Sequence, residues 1–524
     1  MTFRSLMPDV EIPDQSLPAF VLEHAAERGD KPALIDGPSG RTLTYAELAW
    51  MVGRTAAGLD AEGFRKGDVL AILAPNLPEW PVVYFGTQAA GGIVTGINPL
   101  YTVEEIAFQL HDSGARYLVT VPMFLDRAAA AAAKVGIDEL FVLGEASGAT
   151  PFSTLLGHGE EPPDVDIDPA TDLASLPYSS GTTGLSKGVM LTHRSMVAST
   201  CQTEPLWAYT SQDTTIGVLP YFHSAGCFVQ MVHALRGGAT IVTMPRFDLE
   251  LFLGLIEAHR VTKVIVVPPI VLALAQSPAV DHFDLSSLQW IAAGAAPLGA
   301  ELEQACAERL GCPVFQGYGM TETSPMIAIS PTDRDNPENR HRPGSVGMLV
   351  ASTEVRIIDP TTGGKCGPDQ VGELWIRGPQ VMRGYLNQPG ATAATIDPEE
   401  WMRTGDLGRI DADGWVFLVD RVKELIKYKA YQVAPAELEA LLIAHPAVAD
   451  AAVIPKPDVR AGEIPKAYIV PATEVTVEEL MAYVAARVAP HKKVREVAFV
   501  DQIPKSPTGK ILRRVLIERE RAAM

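Results

Sequence analysis

No uninterrupted apolar run in this 524-residue chain approaches the ~18 to 20 residues that a membrane-spanning helix needs. Positive charge is scarce as well. Lys and Arg number 43 against 63 Asp and Glu, a formal net charge of −20, and no basic run of useful length appears. A surface built to neutralise nucleic-acid phosphates is therefore excluded, and any bound phosphate must be held locally. Cysteines are few: Cys201, Cys227, Cys306, Cys312 and Cys366 are an odd number without CxxC spacing. Neither a disulfide framework nor a zinc site is indicated, and reduced thiols in a cytoplasmic protein are the simpler reading. The opening MTFRSLMPDVEIPD breaks every apolar stretch with acids and prolines, so neither a signal peptide nor an integral membrane anchor is expected. No internal repeat is visible.

What is present is globular composition, 47% hydrophobic and 20% charged, over a length that should divide into at least two domains. Apolar β-branched runs at Asp68–Leu73, Thr240–Met244 and Lys263–Val267 alternate with amphipathic stretches such as Leu249–Arg260, where Phe252, Leu255, Ile256 and His259 share a face. Strand, helix, strand predicts α/β architecture with substantial parallel sheet. Arg127–Lys134, with six consecutive alanines, reads as a scaffold helix, and Glu160–Pro169 as an extended surface connection. A boundary is expected near Asp420, after the turn Asp411–Gly414 and a strand Trp415–Val419. Beyond it, helices at Pro435–Leu442 and Val477–Val488 indicate a small α+β unit.

One loop concentrates phosphate chemistry. Tyr178 to Gly188, YSSGTTGLSKG, combines glycines that let amides converge on an anion, hydroxyls that donate, and one mobile ammonium. A bare Gly/Ser/Thr cluster is equally a flexible surface turn. It is not a Walker loop, because Lys187 is followed by Gly188 rather than by a hydroxyl. Gly184 to Gly188 does satisfy GxSxG, the nucleophile elbow of α/β-hydrolases, which keeps a serine hydrolase using Ser186 open as a competing class.

YSSGTTGLSKGV closely resembles the nucleotide loop of the acyl-adenylate-forming superfamily of acyl-CoA ligases, luciferases and adenylation domains. Gly317-Tyr318-Gly319-Met320-Thr321-Glu322 resembles its adenine and metal segment, and Thr404-Gly405-Asp406 its ribose segment. Asp420 to Lys429, DRVKELIKYK, resembles its hinge, and Pro504 to Arg513 its closing motif. The resemblance extends from LTYAEL at Leu43 to Arg514 and is closest to the 4-coumarate:CoA ligase and luciferase branch.

That resemblance implies an α/β fold: a large N-terminal domain of β-sheets flanked by helices with a small β-barrel-like part (1–419), a hinge (420–423), and a smaller mobile α+β C-terminal domain (424–524). It implies an AMP-forming ligase using ATP, Mg2+, a hydrophobic carboxylic acid and coenzyme A. Lys510 would bridge the carboxylate and the α-phosphate, where charge builds in the transition state. Thr321 would bond the α-phosphate and Glu322 would hold magnesium. Tyr318 would stack on adenine beside Gly294, Ala295 and Ala296, with Gln316, Gly317 and Gly319 contributing to the nucleotide site. Asp406 and Arg421 would hold the ribose. Ser179, Ser180, Gly181, Thr182, Thr183, Gly184 and Lys187 would enclose the β- and γ-phosphates.

For thioester formation the family's C-terminal domain rotates, and Lys423 occupies the hinge position. Lys427 and Gln432 would then approach the acyl-adenylate, with Lys429 and Arg246 as candidate coenzyme A contacts. Ala430 stands where relatives usually have glycine, which keeps a carrier-protein acceptor open. Pro220 to Cys227, PYFHSAGC, resembles the acyl-pocket gate, with His223 at the usual histidine and Ser224, Ala225 and Cys227 facing the acid. Coumarate-specific members commonly have tyrosine where this chain has Ala225, so both cinnamate-like and medium-chain fatty acids remain candidates. No oligomeric state is implied.

Overall fold

The computed structural model describes residues 1–157, 161–179, 186–332, 342–421, 423–429, 431–458, 460–506 and 509–523, without the side chains of 431, 432 and 523. The expected α/β architecture is present, a large N-terminal part followed by a smaller C-terminal one. In its largest sheet Val69–Leu73 lies between Ile93–Gly96 and Ala115–Thr120, parallel to both. All five residues of that strand are buried, as a strand covered on both faces requires. Towards one edge Leu173–Ser175 keeps the parallel direction, but Lys187–Thr192 runs antiparallel to it and to the short strands Tyr178–Ser179 and Gly384–Tyr385.

The unit read as strand, helix, strand forms with a different connection. Thr240–Thr243 pairs in parallel with Thr214–Gly217 and Pro32–Asp36, whereas Lys263–Val266 opens another sheet. The helix Leu249–His259 leads past the Thr214 strand, which meets the incoming chain through Thr262 N donating to Thr214 O at 2.9 Å. Adjacency in sequence therefore does not translate into pairing. In the second sheet Lys263–Val266, Trp290–Ala293 and Val314–Gly319 are parallel neighbours, extended antiparallel by Met326–Ile329 and Met348–Leu349.

The small all-β part is a five-stranded antiparallel sheet in the order Phe3–Arg4, Glu354–Ile358, Gly372–Arg377, Met402–Ile410, Val416–Arg421, with its own apolar core around Val355, Ile357, Leu374 and Val416. The last strand does not stop at Val419: Asp406 pairs with Arg421 and Leu407 with Asp420, so the ladder extends through the residues read as the start of the hinge. The C-terminal part packs Pro435–Ile443 and Val477–Ala485 on a sheet built around Val448–Asp458 and Gly462–Pro471. Its second helix, with Leu480 and Val484 buried, ends before the expected Val488, which still packs on the same core beyond the helix end. No helix among the described residues is long and apolar enough to cross a membrane.

Candidate active site

Ligands of open α/β sheets gather at the carboxyl ends of parallel strands. Here the strand Trp290–Ala293 ends in Gly294-Ala295-Ala296, with Ala295 exposed at φ +67°, a left-handed turn that L-residues adopt only when the surroundings hold them there. Beside it Val314–Gly319 ends at Gly319, where a Cβ would run into the Pro325 carbonyl oxygen, so only glycine permits that close approach. A Cβ added at Gly294 would lie 3.6 Å from Gly317 O, an ordinary contact.

Tyr318 is buried and donates its hydroxyl to Asp406 Oδ2 at 2.7 Å. Asp406 Oδ1 pairs with Arg421 Nε at 3.1 Å, and Thr404 Oγ1 receives the Asp406 amide at 3.0 Å. Burial pushes the Asp406 carboxyl above its ordinary value, against the pull of Arg421 and Tyr318. Gln316 departs from the nucleotide role read for it. Its amide nitrogen donates to Leu298 O and to Glu303 Oε2, and its oxygen accepts from Leu298 N, so the side chain is committed to the core.

Glu322 is only 6% exposed, and its Oε1 accepts from Ser179 Oγ at 3.1 Å and from Tyr385 OH at 2.9 Å. Thr321 Oγ1 lies 3.1 Å from Ser224 Oγ. Lys187 opens the strand after the glycine-rich loop, its ammonium 4.8 Å from the Tyr385 ring centroid. Ser180, Gly181, Thr182, Thr183 and Gly184 lie outside the described residues.

His223 precedes a π-helical stretch, Ala225–Val232, in which a Cβ on Gly226 would meet the Pro220 carbonyl oxygen. Its Nδ1 accepts from the Ala225 amide at 3.2 Å, and burial, reinforced by the nearby Lys510 charge, lowers its pKa to about 4. The ring is accordingly neutral, with Nε2 carrying the proton. A cavity of about 30 Å³ lies beside it, bounded by Asn98, Tyr101, Tyr178, Ser224 and Thr321. Ala225 is half-buried, while Cys227 is buried and belongs to the core.

Lys510 reaches this group from the far end of the chain. Burial lowers the pKa of its ammonium, with Arg421 adding repulsion and Glu424 and Asp406 opposing it. The preceding Gly509 packs against Pro269 and Val267, at the end of the strand Lys263–Val266. By contrast Lys423, Lys427, Lys429 and Arg246 are exposed. Lys427 donates its amide to Glu463 Oε2 at 2.7 Å, and the Lys429 ammonium lies 5.5 Å from the Tyr428 ring centroid. The structure does not bring these four to the Asp406 group. Ala430 and the Gln432 side chain lie outside the described residues.

The hydrolase reading of Ser186 is overturned. A nucleophile elbow needs strand, turn and helix, but the chain after Ser186 continues as the strand Lys187–Thr192 of a hairpin. Three participants escaped the sequence reading: Tyr385 on Glu322, Asp112, whose Oδ2 accepts from Tyr178 OH at 2.7 Å at the base of the loop, and Arg513, which bridges Glu424 and Glu439. None has a sequence signal of its own, although Arg513 falls inside the closing motif.

Two buried carboxylates, Asp406 and Glu322, are thus held by hydroxyls of neighbouring elements, Asp406 with Arg421 beside it, and Lys510 lies near the Asp406 group. The model of AMP-binding enzymes matches residues 21–386, and that of the AMP-binding enzyme C-terminal domain matches 437–510. The chain belongs to the AMP-binding enzyme family. It is 44% identical over 535 residues to 4-coumarate–CoA ligase of Pinus taeda, covering 99% of this chain and 97% of that one. Among solved structures, ATP-bound MatB from Rhodopseudomonas palustris superposes with TM-score 0.86 at 30% identity, covering 96% of this chain and 99% of that one. The anthranilate CoA ligase AuaEII with anthranoyl-AMP gives 0.89 at 26% identity, covering 98% of each.

Proposed function

We propose that the chain is an AMP-forming acid:CoA ligase acting on aryl acids, with ATP, a small-molecule carboxylic acid and coenzyme A as substrates. The observation that carries this reading is the joining of Tyr318, Asp406 and Arg421 from three separate strands, with Gly509, next to Lys510, packed on Val267 and Pro269 at the end of the parallel strand Lys263–Val266. A carboxylate oxygen attacks the α-phosphorus of ATP, the bond to the bridging oxygen breaks, and pyrophosphate leaves. Coenzyme A then attacks the acyl carbon with its sulfur, gives up the thiol proton, and AMP departs with the electrons of the broken C–O bond.

In this reading Lys510 and Thr321 stabilise charge on the α-phosphate, while Lys187 and the adjoining loop from Ser179 hold the departing phosphates. Asp406 and Arg421 grip the ribose, and Tyr318 borders the adenine with Gly294, Ala295 and Ala296. His223, donating through Nε2, and Ser224 face the acid. Glu322 fits a magnesium ion: a buried carboxylate with no ion pair among the described residues is costly unless a cation joins it, and magnesium on a nucleotide commonly takes one carboxylate besides phosphates. When bound, that ion neutralises phosphate charge.

The hinge at 420–423 would let 424–524 rotate, bringing Lys427 and Gln432 towards the adenylate and Lys429 towards coenzyme A, with Arg246 as its N-terminal contact. Similarity to 4-coumarate–CoA ligases favours an aryl acid and coenzyme A as acceptor. The five free, buried thiols favour a cytoplasmic location. The test is pyrophosphate release over a panel of aryl and fatty acids, with and without coenzyme A, together with thioester detection. Aryl acids should lead and thioester should accumulate. Pyrophosphate without thioester would remove coenzyme A as acceptor, and a preference for fatty acids would remove the aryl assignment.

A further inference from the structure

Tyr385 sits on a two-residue strand held against the strand that carries Lys187: Val189 pairs with Tyr385, and Leu386 N donates to Gly188 O at 2.9 Å. Its own amide donates to Thr392 Oγ1 at 2.9 Å. The backbone is thus fixed on both sides, and the residue as a whole is 8% exposed. From that position the phenol touches two groups of opposite charge, its hydroxyl donating to Glu322 Oε1 and its ring lying under the Lys187 ammonium.

The way Glu322 is bonded separates it from Glu439, a buried glutamate of the C-terminal part. Glu439 uses both oxygens, Oε1 accepting from Val453 N and Oε2 pairing with Arg513. Glu322 receives both its donors, Ser179 and Tyr385, on Oε1, and both are neutral hydroxyls. Its backbone is held as well, Met382 N donating to Glu322 O at 2.8 Å. Among the described residues no donor reaches Oε2. A buried carboxylate anchored at one oxygen, with no donor from the described residues at the other, is arranged for an incoming cation rather than for a clamp.

We infer that Tyr385 is a positioning residue: its hydroxyl fixes the Glu322 carboxylate so that Oε2 is presented to the cation carried by the nucleotide, and its ring sets the course of the Lys187 ammonium. This rests on the reading of Glu322 as the cation's ligand.

The experiment compares ATP affinity, by calorimetry, without magnesium and at saturating magnesium. Tyr385→Phe keeps the ring and loses only the hydroxyl, so the magnesium-dependent gain in affinity should shrink about tenfold, the scale of one hydrogen bond to a charged group. Magnesium-free affinity should stay within about twofold, because the Lys187 contact survives. Tyr385→Leu should weaken the magnesium-free affinity too. In a Glu322→Gln background, Tyr385→Phe should cost nothing more. Equal losses with and without magnesium, or additive losses in the double variant, would overturn the inference. If Glu322→Gln alone leaves the magnesium dependence intact, the reading of Glu322 fails first and the role of Tyr385 falls with it.

Discussion

Tyr318 donates its phenolic hydrogen to Asp406 across 2.7 Å, and the same carboxylate pairs with Arg421. Three residues far apart in sequence are joined because Asp406 and Arg421 are register partners in one antiparallel ladder, while Tyr318 projects from the sheet opposite. Asp406 is buried, and in the ribose role proposed for it the carboxylate offers defined lone pairs only while Tyr318 and Arg421 hold it in place.

Tyr318→Phe should therefore raise the KM for ATP several-fold with little change in kcat, since about 1 kcal/mol of orientation is lost and the ring remains. Steady-state kinetics at varied ATP checks this. A fall in kcat at unchanged KM would place the phenol in the chemistry instead.

Lys510→Ala should slow adenylation by about a hundredfold or more, by loss of a transition-state contact, while supplied acyl-AMP is still converted to thioester. Equal loss in both half-reactions would refute that division. The pH profile adds a second check. Burial and Arg421 lower the pKa of Lys510, so the active ammonium is lost as pH rises at a lower pH than the 10.5 of an ordinary lysine. The basic limb of adenylation should set in early and disappear in Lys510→Arg, whose guanidinium does not titrate there.

The sequence alone marks residues whose chemistry demands a pattern: a glycine-rich phosphate loop, the YGMTE segment, the TGD turn and the closing lysine. It does not mark Tyr385, which finds Glu322 across 63 positions, or Arg513, which finds Glu424 across 89 and Glu439 across 74. Such partners are fixed by which strands and helices pack together, and no local periodicity reports that. Gln316 fails for the converse reason: it stands beside Gly317 and Tyr318, yet its side-chain amide is taken up by Leu298 and Glu303, partners that lie 18 and 13 positions away. The same limit applies at Lys263, where pattern marks the strand and only long-range pairing chooses its sheet.

Ser186→Ala should leave turnover within about twofold, because Ser186 leads into a strand rather than a helix and is not placed as an elbow nucleophile. Coupled assays of AMP formation measure it. Complete loss of turnover with intact ATP binding would return the serine to the chemistry.

Arg513 makes the most consequential structural contact of the C-terminal part. Its guanidinium donates to Val453 O at 3.2 Å and pairs with Glu439 and Glu424, all three ionic side chains largely buried. Removing one member of such a network strands the others: Arg513→Ala leaves two carboxylates without their cation, a loss of about 3 to 5 kcal/mol. Urea unfolding should show a lower midpoint at unchanged slope if folding stays two-state, or early release of the C-terminal part if it does not. Arg513→Ala combined with Glu424→Gln and Glu439→Gln should recover part of that loss, since no buried charge is then unpaired. If the triple variant is no more stable than Arg513→Ala alone, lost packing of the arginine stem rather than stranded charge explains the loss.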